Sequence, residues 1–336
     1  MSNRFMALSA LALALAATLV AAPAAAQQTQ ARVRVAVTVP LFAPLVESIG
    51  APYVEVDQVI PPGVDPHTYS PPASVIARLD SYDLIVMSGP HHMKVEESIV
   101  AARLEGALRH PLILYYRNYT AAGLRLLDIN GHTNPHGYWW GPKSLAVIAS
   151  SIGDALARID PAHAAWYRAR ASLYAAKARA LEGSLRGLRV AAYSPIVQYF
   201  VEESGGELVY TAAPSPGAEP SATAVSEVVK LYREGRVDVF VATRIDVLYS
   251  RAAARIVEDL RARGVPAVIL PLGQPGADPL LTMEESVGIL QSIQATGAPQ
   301  AGARGACPGG SLGGWGLAVA SFAAGVVVMA AWVRRA

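Results

Sequence analysis

The sequence predicts an α/β chain of two lobes with mostly parallel sheets, joined by a long rigid helix, and three observations lead to it. Short β-branched runs alternate with helical stretches from residue 32 onward. The alternation stops near residue 160 for an unbroken helical run, then resumes after residue 187. Strands separated by helices of this kind pair in parallel, through crossovers of one hand.

In order, "RVRVAVTVP" (32–40), "YVEVDQVI" (53–60), "DLIVMSG" (83–89) and "PLILYY" (111–116) read as strands, because β-branched side chains suit a pleated, covered surface. Residues 41–50, 72–81 and 94–108 suit the helices between them. A helix over 143–158 leads into "DPAHAAWYRARASLYAAKARALEGSLRGL" (160–188), where Asp160 is placed to cap, Pro161 to open and Gly187 to stop a helix. About 26 helical residues span roughly 39 Å. A strut of that length limits hinge closure and predicts a largely preformed cleft. "LRVAAYS" (188–194), "GELVYTA" (206–212), "VDVFVAT" (237–243) and "PAVILPL" (266–272) are the strands of the second lobe. The expected organisation is a first lobe over 27–159, a linking helix over 160–187 and a second lobe over 188–294.

Two terminal segments stand apart. Residues 1–26, "MSNRFMALSALALALAATLVAAPAAA", have Arg4, an uncharged Ala-Leu run and small residues before Gln27, the pattern of a signal peptide. "LGGWGLAVASFAAGVVVMAAWV" (312–333) lacks charge for 22 residues, enough to cross a bilayer as a helix, and Arg334 and Arg335 follow it. Those arginines place the anchor's end in the cytoplasm and the folded part on the extracytoplasmic face of the membrane. A flexible Gly-Ala-Pro linker, 295–311, joins the two and holds the single cysteine, Cys307. A Cys-based zinc site and an internal disulfide are thereby excluded. Without Arg4, Arg334 and Arg335, 25 basic residues face 26 acidic ones, a net charge of −1. Nucleic acid is not an expected partner.

Two Pro-His turns carry the chemistry: "PPGVDPHTYSPP" (61–72) with His67, and "GHTNPHGYWWGP" (131–142) with His136. Proline stiffens each turn, so the following imidazole is held at reduced entropic cost, which suits a ligand for zinc or a related ion. Asp65 and Asn134, two residues earlier, are placed to accept the second imidazole N–H or to brace the turn. The competing reading makes both histidines solvated turn residues.

"GVDPHTYSPP", then "NPHGYWWGP", a helix, "RIDPAHAAWY" and the long helix resemble the zinc- and manganese-binding solute-binding proteins of ABC importers, the cluster A-I family, over about residues 32–294. The resemblance implies His67 and His136 as metal ligands, Zn2+ or alternatively Mn2+ as cargo, and an ABC permease and ATPase as partners. It also implies a third ligand at Ser194 and a fourth at Leu270, residue types that do not serve. Zinc takes about four ligands. The further candidates are His91 and His92 in "SGPHHMKVEE", His132, and Asp278 in "LPLGQPGADPLL". Tyr138, Trp139 and Trp140 either wall the cleft or pack the lobe interface. No His-Glu-x-x-His, Gly-rich phosphate loop or nucleophile elbow is present, so the chain is not expected to be an enzyme. The expectation is an extracytoplasmic receptor for a divalent metal. The rivals are a binder of chelated metal or corrinoid on the same fold, and an adhesin that has lost metal binding.

Overall fold

The computed structural model describes residues 32–61, 64, 68–89, 93–215 and 217–296. The signal segment, most of the linker with Cys307, and the apolar run 312–333 lie outside the described residues. Among the described residues, no helix is long and apolar enough to cross a membrane.

The first sheet holds β1 (Val33–Val37), β2 (Val54–Gln58), β3 (Leu84–Val86) and β4 (Leu112–Leu114), all parallel, in the order β2-β1-β3-β4. Its helices are α1 (Phe42–Gly50), α2 (Ala73–Arg78), α3 (Lys94–Leu104) and α4 (Tyr116–Ala121). The second sheet repeats that topology with β7 (Arg189–Ala192), β8 (Glu207–Thr211), β9 (Val239–Thr243) and β10 (Ala267–Leu270), in the order β8-β7-β9-β10. All eight expected strands form, shorter than their sequence runs.

A small hairpin, β5 (Asp128–Ile129) with β6 (His132–Thr133), was not expected. Its turn, Asn130-Gly131, has positive φ at both positions (51° and 80°), the requirement of the tightest hairpin turns and a clear sequence signal for them.

In the chain, α5 (Pro142–Ile159) and α6 (Ala164–Arg179) come between the strands of the two sheets. The expected continuous helix over 160–187 is thus 16 residues long, with a 3-10 turn at Pro161–His163 before it and turns after it. Asp160 leaves helical geometry (φ −125°, ψ 83°), and its carboxylate pairs with His163 and Tyr167. Gly183 and Gly187 then take left-handed backbone, which stops the helix short of 187. Gly153 lies against Ala171, where a Cβ would come within 2.4 Å of the alanine Cβ. Asp154 meets Arg168, and Lys143 meets Glu182. Those pairings run in opposite directions along the chain, so α5, expected over 143–158, and α6, shorter than the strut expected over 160–187, form an antiparallel hairpin.

In β7 and β9 alternate side chains face different cores. Val190, Ala192, Val239 and Val241 join a large cluster that also holds the first sheet, residues 138–140, α5 and much of α11 (Pro279–Thr296). Ala191, Tyr193, Phe240 and Ala242 join a smaller one beneath α8 (Ala224–Arg233) and α10 (Arg251–Ala262). One apolar core therefore runs through both lobes and ties them together.

Candidate metal site

Each sheet reverses its winding at its first strand, and ligands of such sheets bind at the carboxyl ends on either side of that switch. In the first lobe the switch lies between β1 and β3. The buried carboxylate of Glu96, from α3, bridges it. It accepts from Thr38 Oγ1 at 2.5 Å, from the Ser88 backbone N–H at 2.7 Å and hydroxyl, and from the Gly89 N–H at 2.6 Å.

The second lobe builds the same device between β7 and β9. Asp246, on α9 (Arg244–Tyr249), accepts the Ser194 hydroxyl at 2.6 Å on Oδ1, and the Thr243 N–H and hydroxyl at 2.8 Å on Oδ2. Burial pushes both carboxyls up, against the hydrogen bonds that hold them down. Sequence reading missed both residues. The only hint was an acidic residue in the first turn of a helix that follows a strand.

Ser194 is fully buried, and Leu270 lies in the core at the end of β10. Neither offers a metal the imidazole or carboxylate that the resemblance implied for those positions.

The first motif leaves the carboxyl end of β2, where the chain crosses from Gln58 to α2. Asp65 and His67 lie outside the described residues, as do His91 and His92. His136 is half-buried in the turn between β6 and a 3-10 segment, Tyr138–Trp140. Its backbone N–H donates to Asn134 Oδ1 at 2.9 Å, and Gly137 turns the chain at φ 75°. Asn134 therefore braces the turn. Its amide nitrogen donates to the Pro195 carbonyl at 3.0 Å and to Gln198 Oε1 at 2.9 Å, both in the second lobe.

Tyr138, Trp139 and Trp140 are 1–4% exposed and pack between the lobes. Tyr138 donates to the Ser88 carbonyl at 2.8 Å and lies 6.3 Å from Tyr199, ring to ring. Trp139 meets Phe42 edge-on, and Trp140 packs against Gly273 beyond β10. Large flat rings fill the gap between two curved sheets, so interface packing, and not a wall facing the cleft, is where they fall.

Asp278 is a correction. One oxygen accepts from Ser48 at 2.7 Å; the other accepts from Tyr174 at 2.6 Å and from the Leu280 N–H at 2.8 Å. Ser48 lies near the end of α1 that is remote from the strand carboxyl ends, so Asp278 caps α11 away from the cleft. His132 is exposed on the hairpin. Among the described residues, no group of three or more His, Cys, Asp or Glu side chains is placed to hold a metal ion. Of the expected ligands among the described residues, His136 lies at the lobe interface; Asp278 also meets the other lobe, through Ser48, but on the side away from the strand carboxyl ends, and His132 is exposed.

Comparisons with known proteins bear on this geometry. The family described as "Zinc-uptake complex component A periplasmic" matches residues 35–290. The iron-binding protein YfeA of Yersinia pestis is 28% identical over 149 residues, 44% of this chain and 46% of that protein. The chain spans about half the length of the curated relatives it matches. Among solved structures, the solute-binding protein FpvC of Pseudomonas aeruginosa in complex with Mn2+ superposes with a TM-score of 0.61 at 25% identity, covering 79% of this chain and 100% of that one. A zinc-bound ZnuA deletion mutant gives 0.58 at 20% identity, covering 80% and 99%, a likeness of fold alone.

Proposed function

The chain belongs to the ZnuA family of periplasmic metal-binding receptors of ABC importers, which are not enzymes, and from that premise we propose that it captures a divalent transition metal, zinc foremost, for delivery to a permease and its ATPase. Manganese is the alternative cargo. The observation that carries the reading is the half-buried His136, held at the lobe interface by a turn whose backbone and brace are both fixed. His67, in the segment of the sequence that follows β2, is proposed as its partner, with water or another side chain filling the remaining positions. The leader-like sequence pattern at 1–26 and the apolar run at 312–333 support an extracytoplasmic receptor tethered to the membrane.

Elemental analysis of the purified full-length chain tests the reading: about one equivalent of zinc or manganese supports it. Metal absent from the chain and not taken up after dialysis against zinc would overturn it. Ser194 and Leu270 favour a second reading, in which the metal arrives with its own chelator filling the second-lobe positions. Iron or cobalt co-purifying with an organic chromophore would identify that case.

A further inference from the structure

Asn134 is buried, and each of its polar atoms has a separate task. Oδ1 accepts the His136 N–H, Nδ2 donates to Pro195 and Gln198, and the main-chain carbonyl accepts the Tyr199 hydroxyl at 2.6 Å. Its main-chain N–H donates to the Leu127 carbonyl at 2.8 Å in the first lobe, and its other partners beyond its own turn belong to the 3-10 segment Pro195–Val197 and to α7 (Gln198–Glu203), in the second lobe. Gln198 in turn donates to the Asp128 carbonyl and to Glu202, which leaves its oxygen facing Asn134. Position 134 must therefore supply a donor. An aspartate there would set a carboxylate against two acceptors. Gly137 extends the same contact, because a Cβ on it would stand 1.9 Å from the Ile196 carbonyl oxygen.

The His136 turn precedes α5 in the chain, yet the side-chain amide that braces it is fixed to second-lobe groups. We propose that Asn134 is a positioning residue of the metal site, whose amide fastens the His136 turn to the second lobe so that His136 acts as that lobe's ligand. This rests on the metal-receptor reading. It explains how a chain with Ser194 and Leu270 in the facing lobe still bridges its two lobes through metal. It also gives a physical reason for Asn-Pro-His in the second motif where the first has Asp-Pro-His: an aspartate only accepts, whereas this interface needs an amide donor.

The test uses the full-length chain, with zinc affinity read by chelator competition and coordination read from the visible spectrum of bound Co2+. Asn134→Asp keeps the acceptor for the His136 N–H and removes the donor to Pro195 and Gln198. Ser144→Ala is the control, since it cuts another bond between the lobes, Ser144 Oγ to Glu203 at 2.5 Å, away from the turn. The expected result is a loss of affinity of roughly tenfold or more in Asn134→Asp, with an altered Co2+ spectrum. Ser144→Ala should bind as the wild type does, even if it melts earlier. Unchanged affinity and spectrum in Asn134→Asp, or equal losses in both variants, would overturn the proposal. Should Asn134→Asp not fold, Gln198→Met carries the test by removing one acceptor: weaker zinc binding supports the proposal and unchanged binding overturns it. A wild-type chain that binds no metal would instead defeat the receptor reading itself.

Discussion

The hydroxyl of Ser194 donates to Asp246 Oδ1 at 2.6 Å, inside a site with neither residue exposed to solvent. A hydroxyl that commits its O–H to a hydrogen bond with a carboxylate is a weak metal ligand, but the carboxylate behind it is well placed to orient a better one. Carboxylate–histidine–metal relays have this layout.

Ser194→His is accordingly expected to tighten zinc binding about tenfold or more, with Asp246 accepting one imidazole N–H and the other nitrogen turned to the metal. The larger ring carries an overpacking cost of about 1–3 kcal/mol in the metal-free chain. Chelator competition measures the affinity. Unchanged or weaker zinc binding in a folded variant would show that this position does not face the metal.

Asp278→Ala is expected to lower stability by about 2 kcal/mol while leaving metal affinity unchanged. The carboxylate caps α11 and takes the Ser48 and Tyr174 hydroxyls. Denaturant melts give the first quantity and zinc titration the second. A loss of affinity without a loss of stability would return Asp278 to the metal site.

Glu96 and Asp246 set a pH dependence. Burial raises both folded pKa values above those of the unfolded chain, so their favourable contribution is complete below the ordinary carboxylate range of about 4 and is lost as pH rises through the folded values. In metal-free protein, the wild type should therefore lose stability relative to Glu96→Gln as pH rises from about 4. Parallel thermal melts at increasing pH check the sign. A wild-type advantage that grows with pH would contradict it.

Gly137 and Gly131 both have left-handed backbone, with different surroundings. A Cβ at 131 meets nothing within 4 Å, whereas one at 137 meets the Ile196 carbonyl oxygen at 1.9 Å. Gly131→Ala should cost about 1 kcal/mol from backbone strain alone, and Gly137→Ala distinctly more. Equal losses in denaturant melts would mean that the turn is not pressed against the second lobe.

The strands were legible because covered parallel strands are written in consecutive β-branched residues, and alternation of strand and helix dictates the two-sheet architecture. The Asn130-Gly131 hairpin is equally legible, since Asn-Gly is the residue pair that tight hairpin turns favour. The length of the connecting helix was not. "RARASLYAAKARALEGSLRGL" has helical propensity nearly throughout, and its end is set by left-handed glycines and by bonds such as that from the Leu185 N–H to the Ser204 carbonyl, which are tertiary.

At the site, the Pro-His motif was a local signal, while Glu96 and Asp246 are recognisable only once strands distant in sequence lie side by side. Asp278 misled for a related reason. An acidic residue after the last strand looks like a ligand until Ser48, 230 positions away, is seen to hold it.

The central claim is that His67 and His136 together hold the metal. Its most direct measurement is a zinc titration of the full-length chain, stripped of metal, beside His67→Ala and His136→Ala. The account predicts wild-type binding well below a Kd of about 10 μM and a loss of about 100-fold or more in each variant. Wild-type binding no tighter than about 10 μM, or variants that bind as the wild type does, would contradict it.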